Sequence, residues 1–138
     1  MQISLGEWHA IGNVGSDAEH RLVLPSPPAG PGIYRFRLLG TDPSVYVGET
    51  ADLPRCLEGF ETPDPSQPTN RSLNDEILDA LRDDQHIPVE ICVVAEVEVG
   101  TCREALDLTI KSHRLLAEEA ALVEARAAGF GRVENVGG

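Results

Sequence analysis

The sequence predicts an α+β domain with a small, mainly antiparallel central sheet that is flanked by about three helices. Strand-like segments follow one another early in the chain with a short polar break between them, as in a hairpin. Segments with apolar residues at helical spacing come mostly later, so strands and helices do not alternate as in a parallel βαβ series. The length of 138 residues corresponds to one ordinary domain.

The clearest hairpin lies between residues 31 and 50. Its first strand carries Tyr34, Phe36 and Leu38 at alternating positions, and its second strand carries Tyr46. Between the strands, residues 40–44 form a polar, proline-containing break that is typical of a hairpin loop. Alternation places Tyr34, Phe36 and Leu38 on one face, and it lets the only two tyrosines of the chain meet on one surface.

The segment before this hairpin is predicted to be a leader. Residues 2–5 and 21–24 have the composition of short strands, and the Gly-, Asn- and Ser-containing stretch between them reads as loop. Residues 25–31 contain four prolines, which make a stiff connector. We therefore expect residues 1–30 to form a leader with short strands and a Pro-rich connector, and residues 31–138 to form the main part of one compact domain.

Two helices are predicted after the hairpin. Asp52 or Thr50 caps the first, which runs to about Phe60, and residues 62–69 can only be loop. Asn70 caps the second, whose apolar residues recur at helical spacing: Leu73, Ile77, Ala80 and Leu81.

The last third of the chain reads as a strand, a long helical region and an edge strand. Residues 89–95 alternate as in a half-buried strand. Residues 101–104 match a capping box that opens the helical region, Gly129 closes it, and a break near residues 111–113 is expected. Residues 132–136 return as an edge strand.

The hairpin resembles the signature of the GIY-YIG nuclease superfamily. That signature has Gly-Ile-Tyr on one strand and Tyr-Ile-Gly on the next, here Gly32-Ile33-Tyr34 and Tyr46-Val47-Gly48. Residues 50–57 are similar to the helix that supplies the family's arginine, residues 67–71 to the loop before its second helix, and residues 119–123 to its glutamate helix. Asn135 follows where a closing asparagine is expected.

The resemblance implies a site and a cofactor. It implies Tyr34, Tyr46, Arg55 and Glu119 as catalytic residues, and Gly48, Arg71 and Asn135 as substrate-binding residues. Glu119 would also bind one divalent ion, Mg²⁺ or Mn²⁺, because magnesium commonly uses only one or two protein carboxylates. Cys56, ten residues after Tyr46, occupies the family's usual arginine position, and Arg55 is rotated from it by about 100° on a helix.

Simpler interpretations of the same residues remain open at this point. Glu119 by residue type alone is a solvated helix residue, although it shares a helical stripe with Leu115 and Leu122 that is expected to face the sheet. Tyr34 and Tyr46 are also explained as core rings with their hydroxyls at the rim.

Two functions are compatible with these features. The first is a metal-dependent endonuclease-like protein that hydrolyses DNA phosphodiester bonds. The alternative is a catalytically impaired module of the same fold that acts in protein interaction or regulation. The displaced arginine and the acidic middle of the chain favour the alternative, since that region offers a surface for a protein partner.

The charge of the chain limits how it binds nucleic acid. The formal net charge is −12, of which −9 falls in residues 51–100. Such a chain repels a phosphate backbone, so we expect binding to DNA to be weak and sensitive to salt. The less acidic remainder carries the cations expected to meet the nucleic acid: Arg35, Arg37, Arg114 and Arg126.

Other classes of protein are disfavoured by the sequence. Its three cysteines and four histidines have no metal-ligand spacing, and an odd cysteine count does not suggest a disulfide framework. No apolar run reaches the roughly 20 residues that cross a bilayer, and the amino terminus does not resemble a signal peptide. We expect a cytoplasmic protein that does not bind membranes.

Overall fold

The computed structural model of the chain describes residues 1–40, 42–62, 68–83 and 85–136, with the side chains of residues 68–72 outside the described part. Within these residues there are three helices and ten strands. The helices are α1 (Leu53–Glu61), α2 (Pro68–Arg82) and α3 (Lys111–Ala128). The strands are β1 (Gln2–Leu5), β2 (His9–Asn13), β3 (Gly15–Ser16), β4 (Leu22–Val23), β5 (Gly32–Leu38), β6 (Ser44–Thr50), β7 (Pro88–Cys92), β8 (Ala95–Val99), β9 (Cys102–Ala105) and β10 (Arg132–Asn135).

A five-stranded sheet in the order β10-β6-β5-β7-β2 is the centre of the fold. All its neighbours are antiparallel except β10 and β6. The predicted hairpin is its middle, and its register places Tyr34 opposite Gly48 and Phe36 opposite Tyr46. The predicted α+β class, with a mainly antiparallel sheet and about three helices, is confirmed.

Four short strands within the first 30 residues pair in the three sheets. β1 pairs with β8 in a three-stranded sheet, β2 forms an edge of the central sheet beside β7, and β3 pairs with β4. The expectation of loop between residues 5 and 21 was therefore wrong. Polar and glycine residues suit β2 because it is an edge strand with a register shift between Ala10 and Gly12.

The stretch from residue 89 to residue 105 also differs from the prediction. The single strand expected over residues 89–95 is divided at Val93 and Val94 into β7 and β8, which belong to different sheets. The predicted capping box, residues 101–104, instead contains the end of the β8–β9 turn at Thr101 and the first residues of β9, and Gly100 in the same turn has φ +62°. Gly and Thr residues mark tight turns as well as helix starts, so this local signal was ambiguous.

The predicted cap of α1 and the predicted end of α3 agree with the structure, whereas α2 and α3 begin at residues other than the predicted caps. The Asp52 carboxylate accepts a hydrogen bond from the Arg55 backbone N–H at 3.3 Å, so Asp52 caps α1. α3 begins at Lys111, where a break was expected, and ends at Gly129, whose φ of +72° is left-handed. α2 begins at Pro68, two residues before the predicted Asn70 cap.

The central sheet separates two apolar cores. Phe36, Phe60 and Ile77 lie in the core on the α1 and α2 side, where the rings of Phe36 and Phe60 make an edge contact at 5.2 Å. Ile33 and Val47 belong to the core on the α3 side. Alternate residues of β5 thus face opposite cores, as the strand period requires. No helix among the described residues has the length and apolar character needed to cross a membrane.

Candidate active site

Tyr34 lies across the neighbouring strand, directly over Gly48. The side chain is only 3% exposed, and a Cβ atom added to Gly48 would lie 2.3 Å from the Tyr34 hydroxyl oxygen and 2.4 Å from Cζ. β10 pairs with β6 as far as Val47, so Gly48 lies just beyond the described end of β10. The glycine therefore lets the phenol reach the end of the β6–β10 pair.

This close approach gives a stability prediction. We expect Gly48→Ala to destabilise the fold by about 1 to 3 kcal/mol, because the buried ring cannot move away from the added methyl group. The matched control is Gly59→Ala in α1, where an added Cβ meets no atom within 4 Å. That change should stabilise the fold by about 0.5 to 1 kcal/mol. Urea unfolding followed by circular dichroism measures both, and equal effects of the two changes would contradict the packing argument.

The Tyr34 hydroxyl lies in an acidic, buried environment. Burial raises the pKa of Tyr34 well above its ordinary value, and Cys56, Glu118 and Glu49 raise it further. Beside burial, the Cys56 thiol has the largest effect on the Tyr34 pKa, and the Tyr34 hydroxyl in turn counteracts the rise in the Cys56 pKa that burial causes. A phenol with a raised pKa stays protonated at neutral pH, so Tyr34 can donate a hydrogen bond or orient a water but is not a phenolate base.

α1 presents Cys56 to this tyrosine, and not Arg55. Leu53, Leu57 and Phe60 form the buried face of the helix, and Cys56 lies half-buried beside that face. Arg55 is exposed, because one residue rotates the side chain by about 100°. The predicted placement of Arg55 beside Tyr34 is therefore wrong, and a thiol lies where a guanidinium was expected.

α3 presents Glu118 to the site, and not Glu119. The buried residues of α3 recur at helical spacing and include Arg114, Ala117, Glu118, Ala121, Leu122 and Ala125. Glu119 lies outside this stripe and is exposed, beside β1. The expectation that Glu119 shares a sheet-facing stripe with Leu115 was wrong, since Leu115 is also exposed.

Glu118 is only 6% exposed, and its carboxylate accepts a hydrogen bond from Asn135 Nδ2 at 3.1 Å. Burial raises its pKa, and the charges of Glu49 and Glu119 act in the same direction. The Asn135 side chain and the Glu49 backbone N–H oppose this shift. Asn135 therefore orients the carboxylate of Glu118, a residue that the sequence had not indicated.

Glu49 and Arg114 complete the site. Arg114 Nε donates to Glu49 Oε2 at 2.6 Å, and the Arg114 Nη1 donates to the carbonyl oxygens of Leu108 and Thr109 at 3.1 Å each. Arg114 is 7% exposed. It precedes Glu118 by four residues on α3, so one helical face brings a cation and a carboxylate to the same edge of the sheet.

We call the group formed by Tyr34, Cys56, Glu49, Glu118, Arg114 and Asn135, together with Gly48, the Tyr34 site.

Tyr46 lies on the same sheet face as Tyr34, but its hydroxyl donates to the carboxylate of Glu76 in α2. Arg132 Nη2 lies 3.6 Å from the same carboxylate. Tyr46 is thus engaged by α2, away from Glu118. The side chain of Arg71 lies outside the described residues.

Four members of the Tyr34 site were not predicted to belong to it: Cys56, Glu49, Glu118 and Arg114. The signal for two of them was present. Ala117, Ala121 and Ala125 form a small-residue stripe that allows a helix to pack closely on a sheet, and Arg114 and Glu118 lie on that stripe. Choosing the glutamate by helical phase would have selected Glu118.

The predicted cationic strip for nucleic acid does not form. Arg35 is 6% exposed, its guanidinium stacks on Trp8 at 3.9 Å, and its Nε donates to Glu90 Oε1 at 3.0 Å. Arg37 stacks on Phe130 at 3.9 Å. Arg114 is buried with Glu49, as described above. Of the four predicted cations, only Arg126 is exposed.

The donor set of the Tyr34 site fits only a sparsely ligated ion. Among the described residues no group of three or more His, Cys, Asp or Glu side chains could bind a metal ion. Glu118 supplies one carboxylate, and the second, Glu49, is already paired with Arg114. One carboxylate with several waters is a common arrangement for Mg²⁺, so the site fits magnesium or manganese rather than zinc.

Comparison with known proteins gives one informative result. No family model and no curated protein matches the chain. The solved structure of a mutant of bacteriophage T4 EndoII matches it with a TM-score of 0.55 and 14% sequence identity, over 82% of this chain and 86% of that chain. The two proteins share a fold. At this identity the likeness concerns the fold alone, and it agrees with the nuclease-like architecture expected from the hairpin.

Proposed function

We propose that the chain is a metal-dependent endonuclease that hydrolyses DNA phosphodiester bonds at the Tyr34 site. The observation that carries the proposal is the buried Glu118, whose carboxylate accepts a hydrogen bond from Asn135 and whose negative charge contributes to raising the pKa of the Tyr34 phenol. The shared fold with EndoII, a phage endonuclease, supports the same reaction class.

Glu118 would bind one Mg²⁺ or Mn²⁺ in this proposal. Such an ion supplies Lewis acidity and lowers the pKa of a bound water. The raised pKa of Glu118 fits this role, because the carboxylate lies in a buried, acidic environment where a nearby cation would stabilise its charge. Asn135 acts as a positioning residue that fixes the rotamer of Glu118.

The other side chains of the site have distinct roles. Tyr34 donates its phenol hydrogen and orients the attacking water or the phosphate, since its raised pKa excludes the role of phenolate base at neutral pH. Arg114 neutralises Glu49, which lowers the negative potential that a phosphate would meet. Gly48 keeps the space for the phenol.

Incubating the purified protein with single-stranded, double-stranded and branched DNA tests this function. We expect cleavage that requires Mg²⁺ or Mn²⁺, stops with excess EDTA and falls steeply as salt rises, because the net charge of −12 opposes DNA binding. Absence of cleavage of all three substrates in both metals would contradict the proposal.

A second candidate is favoured by Cys56, the uncharged residue that α1 presents to Tyr34. With no cation from α1 at this position, the chain would be a catalytically impaired module of the same fold, acting in protein interaction or regulation through its acidic residues 51–100. A folded protein that neither cleaves DNA nor binds it at low salt would support this candidate.

A further inference from the structure

α3 brings an exposed cation to the edge of the Tyr34 site. Lys111 is the first residue of the helix, its side chain is 71% exposed, and its Nζ lies 3.9 Å from Glu49 Oε1. We propose that Lys111 binds a phosphate of the DNA that flanks the cleaved one. The inference rests on the proposed endonuclease function, and it names a residue that binds the substrate without acting on the reacting atoms.

The position of Lys111 in the sequence places it on the side of α3 that carries Glu118. The two residues are seven apart. Seven residues make almost two helical turns, so the two side chains leave the helix within about 20° of each other and about 10 Å apart along its axis. Successive phosphates of one strand are about 3.4 Å apart along a DNA duplex, so a cation at this distance lies opposite a phosphate other than the one beside Glu118.

Glu49 connects Lys111 to the rest of the Tyr34 site. Its backbone N–H stabilises the charged carboxylate of Glu118, and its own charge contributes to the raised pKa of Tyr34. Because the Glu49 side chain also lies beside Lys111, the ammonium group is at the same end of the sheet as the buried carboxylate and the phenol. The helical phase and the contact with Glu49 are separate observations that place Lys111 at the edge of the site.

Lys111 can exchange Glu49 for a phosphate, whereas Arg114 cannot. Arg114 is buried, its Nε donates to Glu49 Oε2 at 2.6 Å, and its Nη1 donates to two backbone carbonyls. The contact of Lys111 with Glu49 is longer and exposed, and ion pairs of this kind contribute little to stability. If Lys111 turns to the DNA, Glu49 keeps Arg114 as its partner, so no buried charge is left unpaired.

An exposed cation at this edge compensates for the residue that α1 presents. Cys56 lies beside Tyr34 and carries no positive charge, and Arg55 is exposed on another side of the helix. The carboxylate of Glu49 raises the negative potential that an approaching phosphate meets. Lys111 provides a positive group at the same place, and it remains accessible to the DNA backbone.

The first test is the salt dependence of DNA binding in EDTA, where metal-dependent cleavage does not occur. Fluorescence anisotropy of labelled single-stranded, duplex and branched DNA gives the binding constant at a series of salt concentrations. For duplex DNA, Lys111→Ala should reduce the slope of log binding constant against log salt by about 0.9, the contribution of one phosphate contact. Lys111→Arg should restore the slope because it keeps the charge.

The matched control is Arg103→Ala. Arg103 is 64% exposed and lies 3.7 Å from Glu96 and 3.6 Å from Glu98, so it resembles Lys111 in exposure and in pairing. Its removal changes the net charge of the chain by the same amount. Arg103 belongs to β9 in the sheet β1-β8-β9, outside the central sheet, and Arg103→Ala should leave the slope unchanged. An equal change of slope in both variants would show an effect of net charge alone and would overturn the proposal.

Kinetics on the cleaved DNA locate the contact. Lys111→Ala should raise KM about three- to tenfold and change kcat by no more than about twofold, because the flanking contact is made before as well as during the reaction. Neutral methylphosphonates are then substituted in turn for the phosphates on either side of the cleaved bond. At one position the substitution should weaken the unmodified chain and leave Lys111→Ala unaffected. Circular dichroism checks that each variant is folded.

Three results would overturn the proposal. They are an unchanged salt slope in Lys111→Ala, equal responses of both chains to every methylphosphonate, and no binding of any DNA by the unmodified chain at low salt. DNA binding without cleavage, with a lower slope in Lys111→Ala, would contradict the endonuclease function and retain the phosphate contact. Cleavage with an unchanged slope would contradict the contact and retain the endonuclease function.

Discussion

Replacing Glu118 by Gln is expected to abolish metal-dependent cleavage of DNA while it makes the metal-free protein more stable at neutral pH. Cleavage should fall about a hundredfold or more, the scale on which loss of one electrostatic group lowers kcat. The neutral amide of Gln cannot attract the metal ion as a carboxylate does. Its oxygen can still accept the hydrogen bond from Asn135 Nδ2. Its shape otherwise matches that of the carboxylate, so the site should stay folded.

The stability effect follows from the sign of the pKa shift. Burial raises the pKa of Glu118 above its ordinary value. The folded chain therefore binds this proton more tightly than the unfolded chain, and the resulting stabilisation is lost as pH rises through the folded pKa. Above the folded pKa the ionised carboxylate opposes folding. Glu118→Gln should melt at a higher temperature than the unmodified chain in EDTA at pH 7, and the difference should shrink as pH falls towards 4.5, the ordinary value.

Metal binding gives a measurement that does not depend on turnover. Mg²⁺ at ten times its dissociation constant should stabilise the unmodified chain by about 1.4 kcal/mol. It should not stabilise Glu118→Gln. The matched control is Glu119→Gln on the exposed face of the same helix, which should retain cleavage and the response to Mg²⁺. If Glu119→Gln lost cleavage and stabilisation by Mg²⁺ while Glu118→Gln kept them, the metal ligand would be Glu119, as expected from the sequence.

The second large effect is expected from Cys56→Arg. This change places a guanidinium on the face of α1 that meets Tyr34, beside Glu49 and Asp52. Cleavage should rise about tenfold or more, because a cation there would stabilise the charge that develops on the phosphate. Retention on DNA should also become more sensitive to salt, by about one additional phosphate contact.

Two control variants test whether the effect of Cys56→Arg comes from its charge at this position, and not from its volume or from the existing Arg55. Cys56→Met adds volume without charge and should not raise cleavage. Arg55→Ala should change neither cleavage nor DNA binding by more than a small factor, because Arg55 is exposed on the far side of the helix turn. A folded Cys56→Arg with unchanged cleavage, together with an inactive Arg55→Ala, would show that Arg55 is the working cation and would contradict the geometry of α1.

The sequence predicted those parts of the fold whose signals are local. The hairpin of β5 and β6 has a clear alternation of apolar residues, and α1 has a capping aspartate with three apolar residues on one face. The edge strand β2 and the hairpin of β8 and β9 were missed. β2 depends on β7, a partner distant in the chain, and its polar composition resembles loop. The β8–β9 hairpin is local, but its polar residues resemble a helix start.

The residues that the strands contribute to the site were indicated by the sequence, whereas those that the helices contribute were not. Tyr34 and Gly48 are opposite each other by strand register, which the sequence motif contains directly. Glu118 and Cys56 depend on the rotational phase of two helices, and an error of one residue turns a side chain by about 100°. That phase is determined by the packing of Leu57 in one core and of Ala117 in the other, and such packing is not visible in a short motif.

The pairing of the first strands with late ones also affects how the chain folds. β1 pairs with residues 95–98, and β2 pairs with residues 88–91. During synthesis on the ribosome, neither sheet can close until these later residues have left the exit tunnel. Such contacts between distant residues carry a high cost in chain entropy, so high contact order is expected to make these pairings late events in folding.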